Sequence, residues 1–219
     1  MTEPERSSKK KIITVDPVNP ESDIIDRAGK IIQNNGVVIF PAKCLYGLAA
    51  NALNEKAVEK VFQLKQRPLN NPILILLPDR DLLPDLVKSI PKSAEKLMDA
   101  FWPGNLTIIF EAKGHIPQLL TAGTGKIGVR LPLHPVAKAL VESVGFPITG
   151  TSANLSGQNG CNRTSQLAPS IIDPADLVLN AGVLKGGTGS TIVEVTALNI
   201  NIIREGEVSA RKINKILAD

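Results

Sequence analysis

Two cations one residue apart, Lys65 and Arg67 in "LKQRPLNNP", are the first residues whose types and spacing suit chemistry on an anion. Fixed like charges that close repel each other unless an anion or solvent screens them. Arg grips phosphate with a planar fork, while Lys serves as a mobile point charge. A solvated helix end, where cations complement the dipole, gives the same pair. A second stretch, "GTSANLSG" at 150–157, follows the apolar "FPIT" and so sits at the mouth of a strand. Ser152 and Asn154 offer a hydroxyl and an amide there, and the glycines let a ligand approach the backbone. A polar strand-to-helix connection with a local cap is the structural reading of the same residues. In "GGTGSTIVEV", Gly-rich residues 186–189 lead into Ser190 and Thr191. Backbone amides in such a loop can cradle an oxyanion, although many loops of this composition are inert. Arg130 in "GVRLP" and Arg204 in "IIREGEV" close strands, where each either leaves the core or meets a ligand.

Other catalytic patterns do not fit. A Ser nucleophile elbow needs G-x-S-x-G, but Gly150-Thr151-Ser152-Ala153-Asn154 ends in Asn, and the sequence has only two histidines, His115 and His134. "GTGK" at 123–126 is followed by Ile127, where a phosphate loop places the Ser or Thr that binds magnesium. Cys44 and Cys161 match neither zinc nor disulfide spacing. Cys44, whose one basic neighbour in sequence is Lys43, reads as a small packing residue.

These residues need elements to position them. "IITV" reads as a first strand; then Ile24, Ile25, Ala28, Ile31 and Ile32 recur at helical spacing until Asn35-Gly36. "GVVIF" reads as a buried strand. A helix from near Asn54 places Ala57, Val58, Val61 and Phe62 on one face until Pro68 stops it. "ILILL" is a strand, 82–87 and 93–101 are helical, "LTIIF" and "KIGVRL" are strands, and 135–144 is helical again. After 157, "DLVLN", "STIVEV" and "NIIRE" lie too close together for crossover helices, so part of the sheet must be antiparallel. A C-terminal helix covers 210–217. The expected fold is one α/β domain with a twisted, mixed parallel/antiparallel sheet flanked by helices. It spans 11–219 and follows a basic, flexible segment at 1–10.

With 219 residues, 43% of them hydrophobic, the chain can bury a core without disulfides or a structural metal. No stretch suits a signal peptide or a membrane span, and two cysteines suit a reducing compartment, so a cytoplasmic protein with no membrane partner is expected. The net charge of +4 is compatible with a nucleotide or RNA partner. Aromatics at 3% argue against a stacking platform for single-stranded bases.

Taken in order, "GVVIFPAKCLYGLAANA", "KQRPLNNPILIL", "FWPGNLTIIF", "GVRLPLHPVAKALVESVGFPITGTSANLSG", "LVLNAGVLKGGTGSTIVEV" and "IIREGEVS" resemble the YrdC/Sua5 family, the threonylcarbamoyl-AMP synthases. The likeness runs from about residue 15 to 217. Its most specific signature, K-x-R with a later S-x-N, is intact as Lys65, Arg67, Ser152 and Asn154. The resemblance implies a YrdC-like, double-stranded-RNA-binding-type α/β twist. It also implies a nucleotidyltransferase that joins L-threonine, bicarbonate and ATP into threonylcarbamoyl-AMP, releasing pyrophosphate, for the modification of adenosine 37 in ANN-decoding tRNAs. On that basis Lys65, Arg67 and Arg204 hold the triphosphate with Mg²⁺ assisting, Lys65 and Arg67 being catalytic. Ser152 and Asn154 bond the nucleotide, and Arg130, Ser190 and Tyr46 form the threonine region. No protein side chain is expected to ligate a metal. The implied partners are the three substrates, tRNA or double-stranded RNA, and the downstream threonylcarbamoyl-transferase machinery.

Two stretches depart from the family's pattern. Where members read P-T-x-T-V-Y-G-L, this chain reads Pro41-Ala42-Lys43-Cys44-Leu45-Tyr46-Gly47-Leu48, so the first threonine hydroxyl, expected near the amino-acid substrate, is missing. Losing one substrate hydrogen bond costs about 1–3 kcal/mol, roughly 5- to 150-fold in rate. Asn105 replaces the second proline of P-G-P, which touches loop rigidity only. The chain reads as the single-domain type, without the further domain of longer Sua5 proteins. The alternative is a non-catalytic module of this fold that binds nucleotide or double-stranded RNA such as tRNA. Transfer of another carbamoyl group, as in hydrogenase-maturation proteins, is set aside because those domains sit inside much longer chains.

Overall fold

The computed structural model describes residues 11–196 and 199–218. The basic segment expected at 1–10 lies outside them. Eleven strands among the described residues divide between two sheets. The first sheet holds β1 (Ile12–Thr14), β2 (Val38–Pro41), β3 (Tyr46–Ala49), β8 (Thr151–Ser152) and β9 (Leu177–Asn180), in the order β1-β9-β2-β3-β8. The second holds β4 (Ile75–Leu76), β5 (Leu106–Glu111), β6 (Lys126–Arg130), β7 (Ile148–Thr149), β10 (Thr191–Val195) and β11 (Ile200–Arg204), in the order β11-β10-β5-β6-β4-β7. Both are mixed, as expected. β9 runs parallel to β1 and β2 while β3 is antiparallel to its neighbours; β10 is parallel to β5 and antiparallel to β11.

The expectation of one sheet is corrected at Gly150. β7 ends one sheet and β8 begins in the other, with this residue alone between them. A Cβ there would fall 2.5 Å from Leu74 Cδ1, so the crossing runs where a side chain does not fit without displacing Leu74. The cluster "GTSANLSG" is thus the point where the chain passes between the sheets.

Five longer helices flank them: α1 (Ser22–Gln33), α2 (Glu55–Lys65), α3 (Lys92–Phe101), α4 (Pro135–Val144) and α5 (Ala210–Ala218). α1 buries Ile25, Ala28, Gly29 and Ile32, a helical stripe, and packs on α4 against the first sheet. The larger core joins both sheets with α2, α3 and α5. α2 starts where the Asn54 side chain accepts a hydrogen bond from Ala57 N at 3.1 Å. It ends with Gln66 in the left-handed region at φ 48°, where Arg67 N donates to Phe62 O at 2.9 Å and Gln66 N to Gln63 O at 3.0 Å. This reversal sends two consecutive cations of one motif in different directions. No helix among the described residues is long and apolar enough to cross a membrane.

Candidate active site

Strand alternation builds the floor of one cavity of about 550 Å³. In the second sheet, Leu106, Ile108, Phe110, Thr191 and Val193 turn into the core. Their alternates Asn105, Thr107, Ile109, Ser190, Ile192 and Glu194, with Lys126, Gly128 and Arg130 of β6, line the cavity. β11 slips register against β10 between Ile192 and Val193, leaving Ile203 and Arg204 both opposite Ile192. This bulge brings both side chains to the cavity wall. The facing wall comes from the first sheet and its loops, including Ala42, Lys43, Gly47, Thr151 and Ser152. The volume suits a substrate of nucleotide size.

Charge in this cavity is lopsided. Among the described residues five cations line it (Lys43, Arg67, Lys126, Arg130 and Arg204) against one carboxylate, Glu194. Lys126 is paired with Glu194, and Lys43 with Glu207 at 2.9 Å. The three arginines have no carboxylate partner among the described residues. Arg67 is braced by carbonyls, its Nε donating to Asn71 O at 2.9 Å and its Nη2 to Pro72 O at 2.8 Å. Arg204 Nη2 donates to Ser190 O at 2.8 Å. Arg130 Nε is buried with no hydrogen-bond partner. Burial, reinforced by the nearby Arg204 charge, lowers the Arg130 pKa to about 10, and burial also lowers those of Arg67 and Arg204. A half-buried guanidinium whose Nε is buried and unpaired is costly, and an anionic ligand offsets the cost.

The sequence motifs divide between this wall and its support. Arg67, Ser152, Tyr46, Arg130, Ser190 and Arg204 all line the cavity; Lys65 and Asn154 do not. Lys65, 1% exposed, donates through Nζ to Ser152 O at 2.5 Å and to Asn154 O at 2.7 Å. Burial, then the Arg67 charge, lowers its pKa to about 7. Asn154 turns its amide back into its own loop, Nδ2 donating to Leu155 O and Gln158 O. Lys65 and Asn154 therefore shape the 152–158 loop from behind. Tyr46 is fully buried, its hydroxyl donating to Gly182 O at 2.8 Å and accepting from Ala181 N at 3.0 Å. That hydroxyl is committed to the backbone after β9.

Three groups were not singled out from the sequence as part of the site. Thr107 Oγ1 lies 2.9 Å from Ser190 Oγ on the cavity floor; a threonine inside the apolar "LTIIF" was the available signal. Lys126 and Glu194 form a pair on the same floor. Glu207 gathers Lys43, Lys185, Cys44 and Asn105, a set with no local sequence signature. Burial and the Glu207 carboxylate push the Cys44 thiol pKa up, which leaves it a poor nucleophile. His134 caps α4, its Nδ1 accepting from Val136 N at 3.3 Å. Among the described residues no group of three or more His, Cys, Asp or Glu is placed to hold a metal ion.

The family model described as "Telomere recombination", that of the Sua5, YciO and YrdC proteins, matches residues 30–206. The threonylcarbamoyl-AMP synthase of Pyrococcus abyssi is 33% identical over 88% of this chain and 56% of its own length. That of Bacillus subtilis is 34% identical over 92% of this chain and 59% of its own length. The chain thus spans less than two thirds of either relative. The crystal structure of P. abyssi Sua5 complexed with L-threonine superposes with a TM-score of 0.89 at 33% identity, covering 94% of this chain and 60% of that one.

Proposed function

The chain belongs to the Sua5/YciO/YrdC family, and from that premise we propose that it is an L-threonylcarbamoyladenylate synthase, a nucleotidyltransferase. It takes L-threonine, bicarbonate and ATP to threonylcarbamoyl-AMP and pyrophosphate, for tRNA modification in the cytoplasm. The observation that carries the reading is the convergence of Arg67, Arg130 and Arg204, unpaired with any carboxylate among the described residues, on one cavity of nucleotide size. Relatives named threonylcarbamoyl-AMP synthase and a relative crystallised with L-threonine support it.

The chemistry fits these groups. The threonine amine attacks bicarbonate, and loss of water gives a carbamate. A carbamate oxygen then forms a bond to the α-phosphorus of ATP as the bond to the pyrophosphate leaving group breaks. Neither step needs a protein nucleophile. The second needs positive charge on the α-phosphate and the departing oxygens, which rigidly held guanidinium groups supply without reorganisation.

In this assignment Arg67 and Arg204 face the phosphates, and the Ser152 hydroxyl bonds the nucleotide. Arg130 takes the threonine carboxylate next to the Ser190 and Thr107 hydroxyls. Lys65 and Asn154 act through the loop they hold, and Tyr46 through the wall it anchors. Mg²⁺ enters on the triphosphate, neutralising phosphate charge. Glu194, the one cavity carboxylate among the described residues, is already engaged by Lys126 and offers no protein cage for the ion. tRNA and the transferase that consumes the adenylate are the further partners.

The test is mass spectrometry of the products formed from ATP, Mg²⁺, L-threonine and bicarbonate. Threonylcarbamoyl-AMP in the wild type and its loss in Arg67→Ala support the assignment; its absence from the wild type refutes it.

A further inference from the structure

Beyond β11 the backbone of 206–208 is fixed to the second sheet. Thr191 Oγ1 accepts from Gly206 N at 2.8 Å and Val208 N at 3.1 Å and donates to Val208 O at 2.6 Å. Glu207 N donates to Gly189 O at 3.1 Å. A Cβ on Gly206 would lie 2.5 Å from Gly189 O, so this approach requires glycine.

The Glu207 carboxylate, carried on that fixed post, accepts from four side chains on three other segments. Lys43 Nζ lies at 2.9 Å and the Cys44 thiol at 3.2 Å, both in the loop joining β2 to β3 of the other sheet. Lys185 Nζ, in the Gly-rich loop before β10, lies at 2.7 Å, and the Asn105 amide donates from the turn before β5. Gly186 N also donates to Cys44 O at 3.0 Å, so the two loops meet each other as well as Glu207. Lys43, Cys44 and Asn105 line the cavity alongside Ser190. The Lys185 and then the Lys43 ammonium hold the Glu207 pKa down to about 2, so the carboxylate is charged throughout the working pH range.

We propose that Glu207 is a positioning residue whose carboxylate latches the β2–β3 loop and the Gly-rich loop across the Ser190 end of the cavity. The latch has two consequences. It sets the distance between the two walls at that end, and it neutralises two lysines, so that the arginines alone present unpaired charge to an anionic ligand. Gly186, Gly187 and Gly189, all at positive φ, give the Gly-rich loop the backbone freedom to leave when the carboxylate is removed. The catalytic consequence rests on the synthase reading, in which this end receives L-threonine.

Cys44, 5% exposed and bonded to Glu207, is a built-in reporter that needs no turnover. In the whole chain treated with iodoacetamide and mapped by peptide mass spectrometry, with rates compared on the alkaline plateau where the effect of Glu207 on the thiol pKa drops out, Glu207→Gln and Glu207→Ala should raise Cys44 alkylation by about 10-fold or more, the scale of a lost charge-assisted hydrogen bond. Cys161, whose thiol donates to Gln166 O, should keep its rate. The KM for L-threonine should rise by about 10-fold while the Kd for ATP stays within about twofold, and Glu207→Asp should recover part of both effects. Unchanged Cys44 alkylation in folded variants overturns the latch, and raised alkylation with an unchanged threonine KM overturns its positioning role. Should the Glu207 variants fail to fold, Lys185→Ala, at an exposed position, breaks one arm of the latch. A smaller rise in alkylation is then expected, and none overturns the proposal. A wild type that makes no threonylcarbamoyl-AMP defeats the synthase reading alone, and Cys44 alkylation then decides the latch by itself.

Discussion

The ammonium of Lys65 donates to the carbonyl oxygen of Asn154 at 2.7 Å, joining the two halves of the K-x-R and S-x-N signature across 89 positions of sequence. The bond runs to backbone, so the lysine supports the loop that carries Ser152 and does not face the cavity. Its buried charge has a measurable signature. With a folded pKa of about 7 against the ordinary 10.5, the unfolded chain binds more protons at this site between those values. Stability contributed by this site therefore rises with pH from about 7 toward 10, on the order of 3–4 kcal/mol. Urea unfolding across that range should show the rise in the wild type and lose it in Lys65→Met. Parallel curves for the two proteins contradict the buried, unpaired charge.

Arg130 and Arg67 make opposite demands on folding and catalysis. Arg67→Ala should lower turnover by about 10²–10³, the usual cost of removing a preorganised charge from a transition state, while Arg130→Ala, which loses the contact to the threonine carboxylate, should raise the KM for L-threonine by about 10-fold or more. Melting temperature should hardly fall. For Arg130→Ala it should hold or rise, because the variant removes a half-buried guanidinium whose buried Nε has no partner. Near-normal turnover in Arg67→Ala, or a near-normal threonine KM in Arg130→Ala, removes that residue from the site.

Two glycines separate backbone clash from side-chain clash. Gly206→Ala drives a Cβ to 2.5 Å from the Gly189 carbonyl, which cannot move without breaking the bond it accepts from Glu207 N, and should destabilise by about 2–3 kcal/mol. Gly150→Ala meets the flexible end of Leu74 at the same distance and should cost about 1 kcal/mol. Thermal denaturation of the two variants checks the order; the reverse order contradicts the packing described here.

Ala42 lines the cavity where the family pattern carries threonine. Ala42→Thr should fold normally and lower the KM for L-threonine by about fivefold or more, the value of one recovered hydrogen bond. An unchanged KM places that hydroxyl away from the amino acid.

Much of this arrangement could be read from residue patterns, and what could not has a physical reason. The helical stripe of α1, the helix start near Asn54 and the strands "LTIIF" and "STIVEV" are local, and they reappear at the expected places. β3 carries no local signal because "YGLA" is short and contains Gly and Ala, poor strand formers whose strand state is set by pairing with β2 and β8. The division into two sheets depends on which strands pair after Gly150, a tertiary fact without a local signal. The charged motif residues were visible, but not that Gln66 in the left-handed region turns Lys65 to the interior and Arg67 to the cavity. Asn105 read as a loop residue because its partner, Glu207, lies 102 positions away.

The central claim is tested most directly by pyrophosphate release from the purified protein with ATP and Mg²⁺, with L-threonine and bicarbonate omitted one at a time. The account predicts release only when both are present. ATP binding without release under any combination contradicts it, and leaves a nucleotide-binding module of the same fold.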